Sequence, residues 1–379
     1  MRILILSWVF RPNVGGVETH LTDLTEYLRS KDHTVYVLTY TPLTTGVTNV
    51  PLRENLKGLE IHRVRWIRQW FFSRLEANSV LWATSLFAPL FIYTLIFMLR
   101  HKVDVVHAHG LVAASIAGPL SKLFKTRGVV SLHGLLEQES LLKLSRFVLM
   151  PFDSILALSK RSKRDVVGSG VPESKVVVYT HWVDQSLFRP PFNRNEIRED
   201  LGIKTSCFIV LFVGRLCRRK GVGVLLEAAK KCPRGIEFLF IGPGPMEDEI
   251  SKAAEKLGNV KLKGPMHAET LVNYYGAADL VVAPPQYEEG FTRVVLESLS
   301  CGTPVLAASK GCLVEMIDES VGRLVYPDVE NLYRQIMYFY KNREELAKLA
   351  EQARKYAEER YSKRNAEVIM KAYRGKSDR

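Results

Sequence analysis

The fold class of this chain is decided by the stretch Leu280-Val-Val-Ala-Pro-Pro-Gln-Tyr-Glu-Glu-Gly-Phe-Thr-Arg-Val-Val-Leu-Glu-Ser-Leu-Ser-Cys-Gly-Thr-Pro-Val-Leu-Ala-Ala308. It begins with an apolar run typical of a buried strand, passes through a polar turn that contains Gly290, and continues with helical periodicity. A second apolar strand, Val305–Ala308, ends it. A strand, a helix and a strand form a βαβ unit. This predicts a parallel sheet whose ligands bind where strands end and helices begin.

Two glutamates occupy the turn and the helix of this unit. Glu289 lies in the turn, and Glu297 follows about two helical turns later, since eight residues rise ~12 Å. An ionised carboxylate only accepts hydrogen bonds and can take two donors, such as vicinal sugar hydroxyls. The pair could therefore hold the two ends of an elongated ligand. The alternative is structural, with Glu289 as a helix cap and Glu297 as a solvated helix residue.

The same alternation of strands and helices extends along the whole chain. It begins with a strand at Ile3–Ser7, breaks at a proline-containing loop near residue 190, and starts again at Phe208–Val213. At 379 residues the chain exceeds the ~250–300 residues at which a single hydrophobic core stops growing. We therefore predict an α/β protein with two Rossmann-like domains, residues 1–185 and 186–360.

The charge of the chain is positive and uneven. Its formal net charge is +13, and residues 1–190 carry 23 Lys and Arg against 14 Asp and Glu. Such an excess attracts phosphates, anionic lipid headgroups or nucleic acid. Nucleic acid is not predicted, because the sequence has no recognition helix, RNP-like motif or zinc finger. The five cysteines form no CxxC pair, and the first residues read as a strand rather than a signal peptide, so we expect a cytoplasmic protein.

Residues 80–99 are uncharged and reach the length that can span a bilayer. We favour a buried helix of the first domain over a span, because strands of one sheet lie on both sides of the run. A third interpretation is attachment to a membrane surface, since basic and aromatic residues alternate just before it. These residues are Arg63, Arg65, Trp66, Arg68, Trp70, Phe71, Phe72 and Arg74.

Cations follow the first strand of the second domain. In Gly214-Arg-Leu-Cys-Arg-Arg-Lys-Gly221, Arg215 and Lys220 lie on a loop that leads into a helix. Backbone N–H groups and the helix dipole favour an anion there. A guanidinium fork together with an ammonium group suits a diphosphate. A merely solvated loop is the alternative.

Four further loops place glycine or histidine at a strand end. The first lacks the GxGxxG spacing of a dinucleotide site, but its adjacent glycines let backbone approach a phosphate; a plain turn is the alternative. The two histidine loops lack the additional ligands that zinc requires, and histidines bonded to backbone are the alternative there. The four loops are Gly15-Gly16-Val17-Glu18, His107-Ala-His109-Gly110, Ser131-Leu-His133-Gly134 and Gly242-Pro-Gly244-Pro245.

These motifs together resemble the retaining glycosyltransferases of family four, which have the GT-B fold, two Rossmann-like domains facing across a cleft. The resemblance covers nearly the whole chain. It implies that the C-terminal helix, residues 361–379, crosses back to the first domain. The sequence departs from the family pattern at Thr292, where glycine is usual, and at His181-Trp182, where Asn-Gly is common.

The resemblance also implies a role for each motif. Glu289 would contact the donor sugar and Glu297 the nucleotide ribose. Arg215 and Lys220 would clamp the diphosphate, and His133 would lie near the donor sugar and the reactive centre. The residues implied as catalytic are His133, Glu289, Arg215 and Lys220. Further donor contacts are implied at Gly15, Gly16, Gly242, Gly244, Gly290, Phe291 and Thr292, and the acceptor side at His109 and Glu18.

The implied activity is transfer of a hexose from a UDP- or GDP-sugar to a glycan or lipid-linked acceptor, with retention at the anomeric carbon. No metal and no cofactor are expected, because the two cations neutralise the diphosphate. The acceptor and the basic first half suggest peripheral attachment to the cytoplasmic face of an anionic membrane. Two alternatives stay open: a sugar-nucleotide epimerase of the same fold, and a non-catalytic nucleotide-binding protein associated with membranes.

Overall fold

A computed structural model of the protein describes residues 1–42, 47, 49–65, 79–134 and 145–375. In the helix that begins at Ser79, side chains are described from residue 87 onward. Contacts within the chain define two compact units. The first unit comprises Met1–His181 and Arg364–Arg379, and the second comprises Trp182–Lys363. The sequence placed the corresponding boundaries at 185/186 and 360/361.

The first unit is built on an eight-stranded sheet. Its strands are β1 (Arg2–Ser7), β2 (Thr34–Tyr40), β3 (Arg53–Leu56), β4 (Leu59–Val64), β5 (Val105–His109), β6 (Arg127–Leu132), β7 (Ser154–Ala157) and β8 (Val176–Val178). Their order is β3-β4-β2-β1-β5-β6-β7-β8, and of the pairs among these described strands only β3–β4 is antiparallel. Its helices are α1 (Gly16–Arg29), α2 (Ser79–Arg100), α3 (Leu111–Leu123), α4 (Lys160–Gly168), a 3-10 turn at Glu173–Lys175 and the terminal helix Ala366–Arg374.

The apolar runs of the sequence explain the parallel pairing in this unit. Ile3, Leu4, Ile5 and Leu6 of β1 are all fully buried, as expected for a parallel strand covered on both faces. The sheet order reverses between β1 and β5, so the loops that follow these two strands diverge at one edge. That edge is where open α/β sheets bind ligands.

Helix α2 contains most of the uncharged run 80–99. Leu90, Phe97 and Met98 lie buried in the core of the first unit, which supports the interpretation as a core helix. Ile92, Ile96 and Leu99 are 56%, 42% and 68% exposed. Their spacing of four and three residues places them on one side of the helix. Among the described residues, no helix is long and apolar enough to cross a membrane.

The basic and aromatic cluster before α2 needs one correction. Arg63 is only 4% exposed, because its guanidinium donates to Glu54 Oε2 at 2.9 Å and to the Pro51 carbonyl at 2.9 Å. It is therefore a structural residue of β4 rather than a membrane contact. Arg65 is exposed. The other members, Trp66, Arg68, Trp70, Phe71, Phe72 and Arg74, lie outside the described residues.

The second unit is built on a six-stranded parallel sheet. Its strands are β9 (Phe208–Val213), β10 (Ile236–Ile241), β11 (Val260–Leu262), β12 (Leu280–Ala283), β13 (Val305–Ala308) and β14 (Gly322–Val325), in the order β11-β10-β9-β12-β13-β14. Its helices are α5 (Arg194–Asp200), α6 (Val222–Lys231), α7 (Glu247–Leu257), α8 (Ala268–Ala277), α9 (Arg293–Ser300), α10 (Leu313–Met316), α11 (Val329–Lys341) and α12 (Arg343–Arg360), with a 3-10 turn at Arg218–Lys220. A further 3-10 turn, Lys363–Asn365, lies at the boundary with the first unit.

The βαβ unit predicted from residues 280–308 is confirmed. Strand β12 pairs in parallel with both β9 and β13, and α9 connects β12 to β13. The pleat of β9 sends Ile209 and Leu211 into one hydrophobic cluster and Phe208 and Val210 into another. Each face of this sheet therefore has its own core.

The terminal helix belongs to the first unit. Arg127 Nε of β6 donates to the Ala372 carbonyl, and the Tyr27 hydroxyl of α1 donates to the carboxylate of Glu367. The last described residues of the chain thus pack against elements formed by its first 130 residues.

Candidate active site

The predicted donor-site residues of the second unit cluster at the reversal of the sheet order. Arg215 and Lys220 follow β9, and Glu289 follows β12, its neighbour in the sheet. Parallel neighbours end at the same edge, so both loops leave the sheet together. The order reverses between these two strands, which makes this edge the expected ligand site.

Gly221 holds the two loops against each other. It has a φ of 78° and ends the 3-10 turn Arg218–Lys220 immediately before α6. A Cβ at this position would collide with the carbonyl of Pro284 in the loop after β12. Only glycine allows both the left-handed backbone and this close approach. The approach brings Lys220 next to the loop that carries Glu289.

Lys220 and Glu289 form an ion pair. The ammonium Nζ lies 2.9 Å from Oε1 and 2.7 Å from Oε2 of Glu289, whose side chain is 11% exposed. Tyr287 flanks the pair, and burial together with the negative charge of Glu289 raises the pKa of its phenol. The guanidinium of Arg219 lies 4.3 Å from the centre of the Tyr287 ring. Two residues predicted to act on the same donor are therefore in direct contact.

Arg215 differs from Lys220 in having no such partner. Its side chain is exposed, and within the described ranges it makes no hydrogen bond or ion pair. Its neighbour Arg218 is 80% exposed and lies 3.4 Å from Glu249. An unpaired guanidinium at the end of a strand can receive an oxyanion without first breaking a protein contact.

Glu297 is buried inside the second unit, so the alternative of a solvated helix residue is wrong. Its Oε2 accepts from the Tyr275 hydroxyl at 2.9 Å, and its Oε1 lies 3.4 Å from Arg293 Nε. Arg293 also donates to the Trp182 carbonyl. The proposed helix cap is also wrong: Thr292 occupies the N-cap position of α9, and Glu289 lies before it. The remaining lone pairs of Glu297 can still accept from a ligand hydroxyl.

The glycine loop after β10 has a structural explanation. A Cβ on Gly242 would collide with the Gly214 carbonyl, and one on Gly244 would collide with the Leu216 carbonyl. The amide of Gly242 already donates to a carbonyl, and that of Gly244 donates to Glu247 Oε1 at 2.7 Å. These glycines let the loops after β9 and β10 pack closely. Their predicted contact with the donor stays a prediction.

The turn Gly290–Thr292 connects Glu289 to α9. The ring of Phe291 packs edge-on against Tyr361, with 6.1 Å between the ring centres. The Glu289 carbonyl accepts from the Cys312 amide at 2.9 Å, and Gly311 approaches the Glu289 backbone so closely that only glycine fits. The backbone that presents Glu289 is thus fixed on both sides.

In the first unit, Gly15 and Gly16 form the entry to α1, as predicted. Gly15 is the N-cap and Gly16 the first helical residue, and no side chain of the described part of the chain caps the helix. The Glu18 carboxylate lies against Gly15, and a Cβ there would require this carboxylate to move. Burial raises the pKa of Glu18. This helix entry follows β1 and the histidine loops follow β5 and β6, so both lie at the same edge of the sheet.

The histidine loops meet inside the first unit. His109 Nδ1 lies 2.9 Å from His133 Nε2, and the His107 and His109 rings are 4.1 Å apart. Burial lowers the pKa of His107 to about 3 and that of His133 to about 4, and it lowers the pKa of His109 well below its usual value. All three are therefore neutral at physiological pH.

Two further histidines complete the cluster, and the sequence analysis missed both as site residues. His20 of α1 stacks on His181 with ring centres 3.7 Å apart, and His20 also lies 5.8 Å from His133. Periodicity marks His20 as a helix residue facing the core, but nothing in the sequence connects it to residues more than a hundred positions away. Within the described ranges, no group of three or more His, Cys, Asp or Glu has the geometry to hold a metal ion.

Two family models match this chain and together cover most of it. Glycosyltransferase family 4 matches residues 14–187, and glycosyl transferases group 1 matches residues 193–356. An uncharacterised glycosyltransferase of Methanocaldococcus jannaschii is 30% identical over 86% of this chain and 85% of its own length. A human phosphatidylinositol N-acetylglucosaminyltransferase component is 26% identical over 87% of this chain, which spans 66% of the human protein.

Solved structures agree on the fold. The Anabaena protein HepE, solved in complex with UDP-glucose, superposes with a TM-score of 0.76 at 21% identity and covers 98% of this chain and 99% of its own. The two units, each built on a largely parallel sheet, and these matches identify the architecture as GT-B. This chain is a glycosyltransferase and belongs to family four, the glycosyl transferases group 1.

Proposed function

We propose that this enzyme transfers a sugar from a nucleotide-diphospho-sugar to an acceptor hydroxyl with retention at the anomeric carbon. The observation that carries the proposal is the Lys220–Glu289 contact at the sheet reversal of the second unit. The loop that holds Lys220 also carries Arg215, which is unpaired within the described residues. Lys220 offers positive charge for a diphosphate, and Glu289, in direct contact with it, offers a carboxylate for sugar hydroxyls.

In this proposal the two cations act on the leaving group. Negative charge grows on the diphosphate as the glycosidic bond breaks, so Arg215 and Lys220 bind the transition state more tightly than the bound donor. Lys220 has three N–H donors and can serve Glu289 and a phosphate oxygen together. Glu289 would orient the sugar, and Glu297 would accept from the ribose.

The acceptor would attack the face from which the nucleotide departs. A new bond forms between the acceptor oxygen and the anomeric carbon while the bond to the phosphate oxygen breaks, and the acceptor proton passes to the departing diphosphate. His133, neutral at physiological pH, would contact the sugar at this centre, with Glu18 and His109 toward the acceptor. The two cations carry the charge neutralisation, so the proposed reaction is independent of metal and cofactor.

A donor panel tests this function. UDP, GDP and their common hexose conjugates are added to the purified protein, and thermal stabilisation, nucleotide release and sugar products are measured with and without chelator. We expect the sugar conjugates of one nucleotide, UDP or GDP, to stabilise the protein. We expect the nucleotide diphosphate to be released from them only when an acceptor is present. Release of an epimerised sugar without transfer would favour an epimerase. Binding without any turnover would favour a non-catalytic nucleotide-binding protein.

We further propose an anionic, lipid-linked acceptor reached at a membrane surface. The exposed apolar stripe of Ile92, Ile96 and Leu99 on α2 supports this, as does the excess of basic residues in 1–190. The name of the human relative contains phosphatidylinositol, which is consistent with such a substrate. Basic residues near an anionic surface contribute about 1 kcal/mol each, which would localise the enzyme without a span.

Vesicle binding tests the membrane proposal. Leu99→Ser should weaken co-sedimentation with vesicles that contain phosphatidylinositol, because it removes apolar area from the stripe. Leu123→Ser is a matched control, since Leu123 is also 68% exposed but lies on α3. Equal binding by both variants, or no binding by the parent protein at low salt, would reject attachment through α2.

A further inference from the structure

A buried chain of hydrogen bonds connects the terminal helix to the histidine cluster. The Tyr373 hydroxyl lies 2.7 Å from His107 Nδ1, and His107 Nε2 lies 2.8 Å from Ser131 Oγ. Tyr373 is 2% exposed, and His107 and Ser131 are fully buried. The contact spans 266 residues of sequence and lies wholly within the first unit. Neither the ion pair of the second unit nor the proposed donor contacts account for it.

We propose that Tyr373 is a positioning residue that orients the His109–His133 pair by fixing the ring of His107. The proposal rests on the proposed function only in that His133 contacts the donor sugar. It assigns the terminal helix a role in the site beyond closing the fold.

The first step of the argument is the arrangement of the rings. His107 and His109 lie two residues apart on β5, so their side chains project from the same face of the sheet. Ser131 is the register partner of His109 on β6, and His133 follows two residues later. The His107 ring therefore packs beside His109, which in turn bonds to His133. Because the two ring centres are 4.1 Å apart, a rotation of His107 changes the packing around His109.

The second step concerns the tautomer of His107. A neutral imidazole has one N–H donor and one acceptor nitrogen. Burial keeps His107 neutral by lowering its pKa to about 3, and burial holds the pKa of Tyr373 well above its usual value, so its O–H is retained. Tyr373 and Ser131 occupy both ring nitrogens of His107 and together fix its orientation. Without the tyrosine hydroxyl, one nitrogen would be buried without a partner.

The third step connects this orientation to the site. One ring of the His109–His133 pair must donate to the other, which leaves one N–H and one lone pair on the outer nitrogens. These nitrogens, His109 Nε2 and His133 Nδ1, are buried and have no hydrogen-bond partner among the described residues. The direction of this hydrogen bond therefore decides whether His133 offers a ligand hydroxyl a donor or an acceptor. Buried unsatisfied nitrogens are uncommon and fit a ligand-binding role.

Tyr27 supplies a matched control. Its hydroxyl bonds to Glu367 on the same terminal helix, so it also anchors that helix. The Tyr27 hydroxyl thus meets a carboxylate, whereas the Tyr373 hydroxyl meets a ring nitrogen of the histidine cluster. Replacing either tyrosine with phenylalanine removes one anchoring hydroxyl and keeps the ring. Only the change at Tyr373 should alter the orientation and tautomers of the histidine rings.

The experiment compares full-length Tyr373→Phe and Tyr27→Phe, labelled with ¹⁵N-histidine. Long-range ¹H–¹⁵N correlation spectra report which ring nitrogen carries the proton. In Tyr373→Phe we expect shifted ring-nitrogen signals for His107, His109 and His133 and a loss in donor turnover of up to about 10²-fold, as for a small misplacement of the groups around the substrate. In Tyr27→Phe both readouts should match the parent protein, and both variants should lose similar thermal stability.

Unchanged histidine signals in Tyr373→Phe would overturn the proposal and reduce Tyr373 to an anchor of the helix. If that variant does not fold, the parent spectrum decides: a single fixed tautomer of His107 supports the proposal, and averaging between two tautomers overturns it. A parent protein that turns over no nucleotide-sugar would reject the proposed function instead, because the spectra do not depend on turnover.

Discussion

At the scale of single residues, the two cations predicted to bind the diphosphate differ in their contacts. Lys220 is held by Glu289, whereas Arg215 has no side-chain partner within the described residues. A diphosphate would have to share Lys220 with the carboxylate but would find Arg215 available. Binding should therefore depend most directly on Arg215, and changes at Lys220 should also disturb Glu289.

Arg215→Ala should lower donor turnover by on the order of 10²-fold, because it removes a charge-assisted contact to the leaving diphosphate. Arg218→Ala is the matched control: it removes the same charge three residues away, from a side chain that pairs with Glu249 at the surface. Steady-state turnover and calorimetric UDP or GDP affinity would be measured for both. If the two variants behaved alike, Arg215 would contribute only general positive charge.

Glu297→Gln should weaken nucleotide diphosphate affinity, whereas Glu289→Gln should mainly lower turnover and sugar discrimination. The comparison that isolates the ribose role uses UDP and 2′,3′-dideoxy-UDP, or the guanosine equivalents. The parent should bind the dideoxy form more weakly by about 1.5–3 kcal/mol, the usual contribution of hydrogen bonds to a charged group. In Glu297→Gln this difference should shrink. An unchanged difference would contradict the ribose assignment. This holds even if Glu297→Gln also lowers stability by weakening the ion pair with Arg293, because the comparison is made within each variant.

At the scale of elements, glycines decide how closely the strand-end loops approach each other. Gly221 packs the loop after β9 on the loop after β12, and Gly242 packs the loop after β10 on the loop after β9. The ion pair between Lys220 and Glu289 therefore depends on backbone contacts as much as on the two side chains. Any side chain at these glycines must push the loops apart.

Gly221→Ala should destabilise the protein and weaken donor binding together. Gly258→Ala is its matched control, because Gly258 has a similar φ of 70° but open space around its Cβ. The left-handed backbone alone should cost about 1–2 kcal/mol at either position. Urea unfolding should show a larger loss for Gly221→Ala, and only that variant should bind nucleotide more weakly. Equal losses would mean that the loop after β12 moves aside freely.

Local patterns in the sequence predict the elements well and the pairing of side chains poorly. The βαβ unit, the loop carrying Arg215 and the entry to α1 all follow from apolar runs and glycine positions. The burial of Glu297 does not, because its partner Tyr275 comes from α8, a different element. The resemblance gave His133 a role, but His20 and His181 join it only through packing between elements far apart in sequence.

At the scale of the whole molecule, the first unit is closed by the last helix of the chain. Glu367 contacts Tyr27 of α1, and Tyr373 contacts His107 of β5, so the terminal helix supplies a hydrogen-bond partner to the histidine cluster. The cluster also concentrates titratable groups in one core. His107, His109 and His133 pack together there, and burial holds each of them neutral.

This buried cluster predicts an acid-sensitive fold. The pKa values of the three histidines are lowered in the folded state from an ordinary value of 6.5, so below that pH the unfolded chain binds more protons than the folded chain. Stability is therefore fully present above 6.5 and falls as pH decreases toward the folded values of about 3 for His107 and about 4 for His133. Glu18, whose pKa is raised from 4.5, opposes this loss at the acidic end.

Urea unfolding at about pH 7.5 and about pH 5.5 measures the effect, because the midpoint at constant slope reports stability. We expect a lower midpoint at the acidic pH. Carboxyl groups such as Asp104 and Asp153 have pKa values lowered from 3.8, so the stability that they contribute is lost only at lower pH. A change in stability between these two pH values therefore reports on histidines. His107→Asn, which removes one buried imidazole, should flatten the difference, whereas His267→Asn at an exposed site should retain it. If the urea midpoint of the parent protein were the same at both pH values, the folded state would not disfavour protonation of these histidines, and the prediction would be wrong.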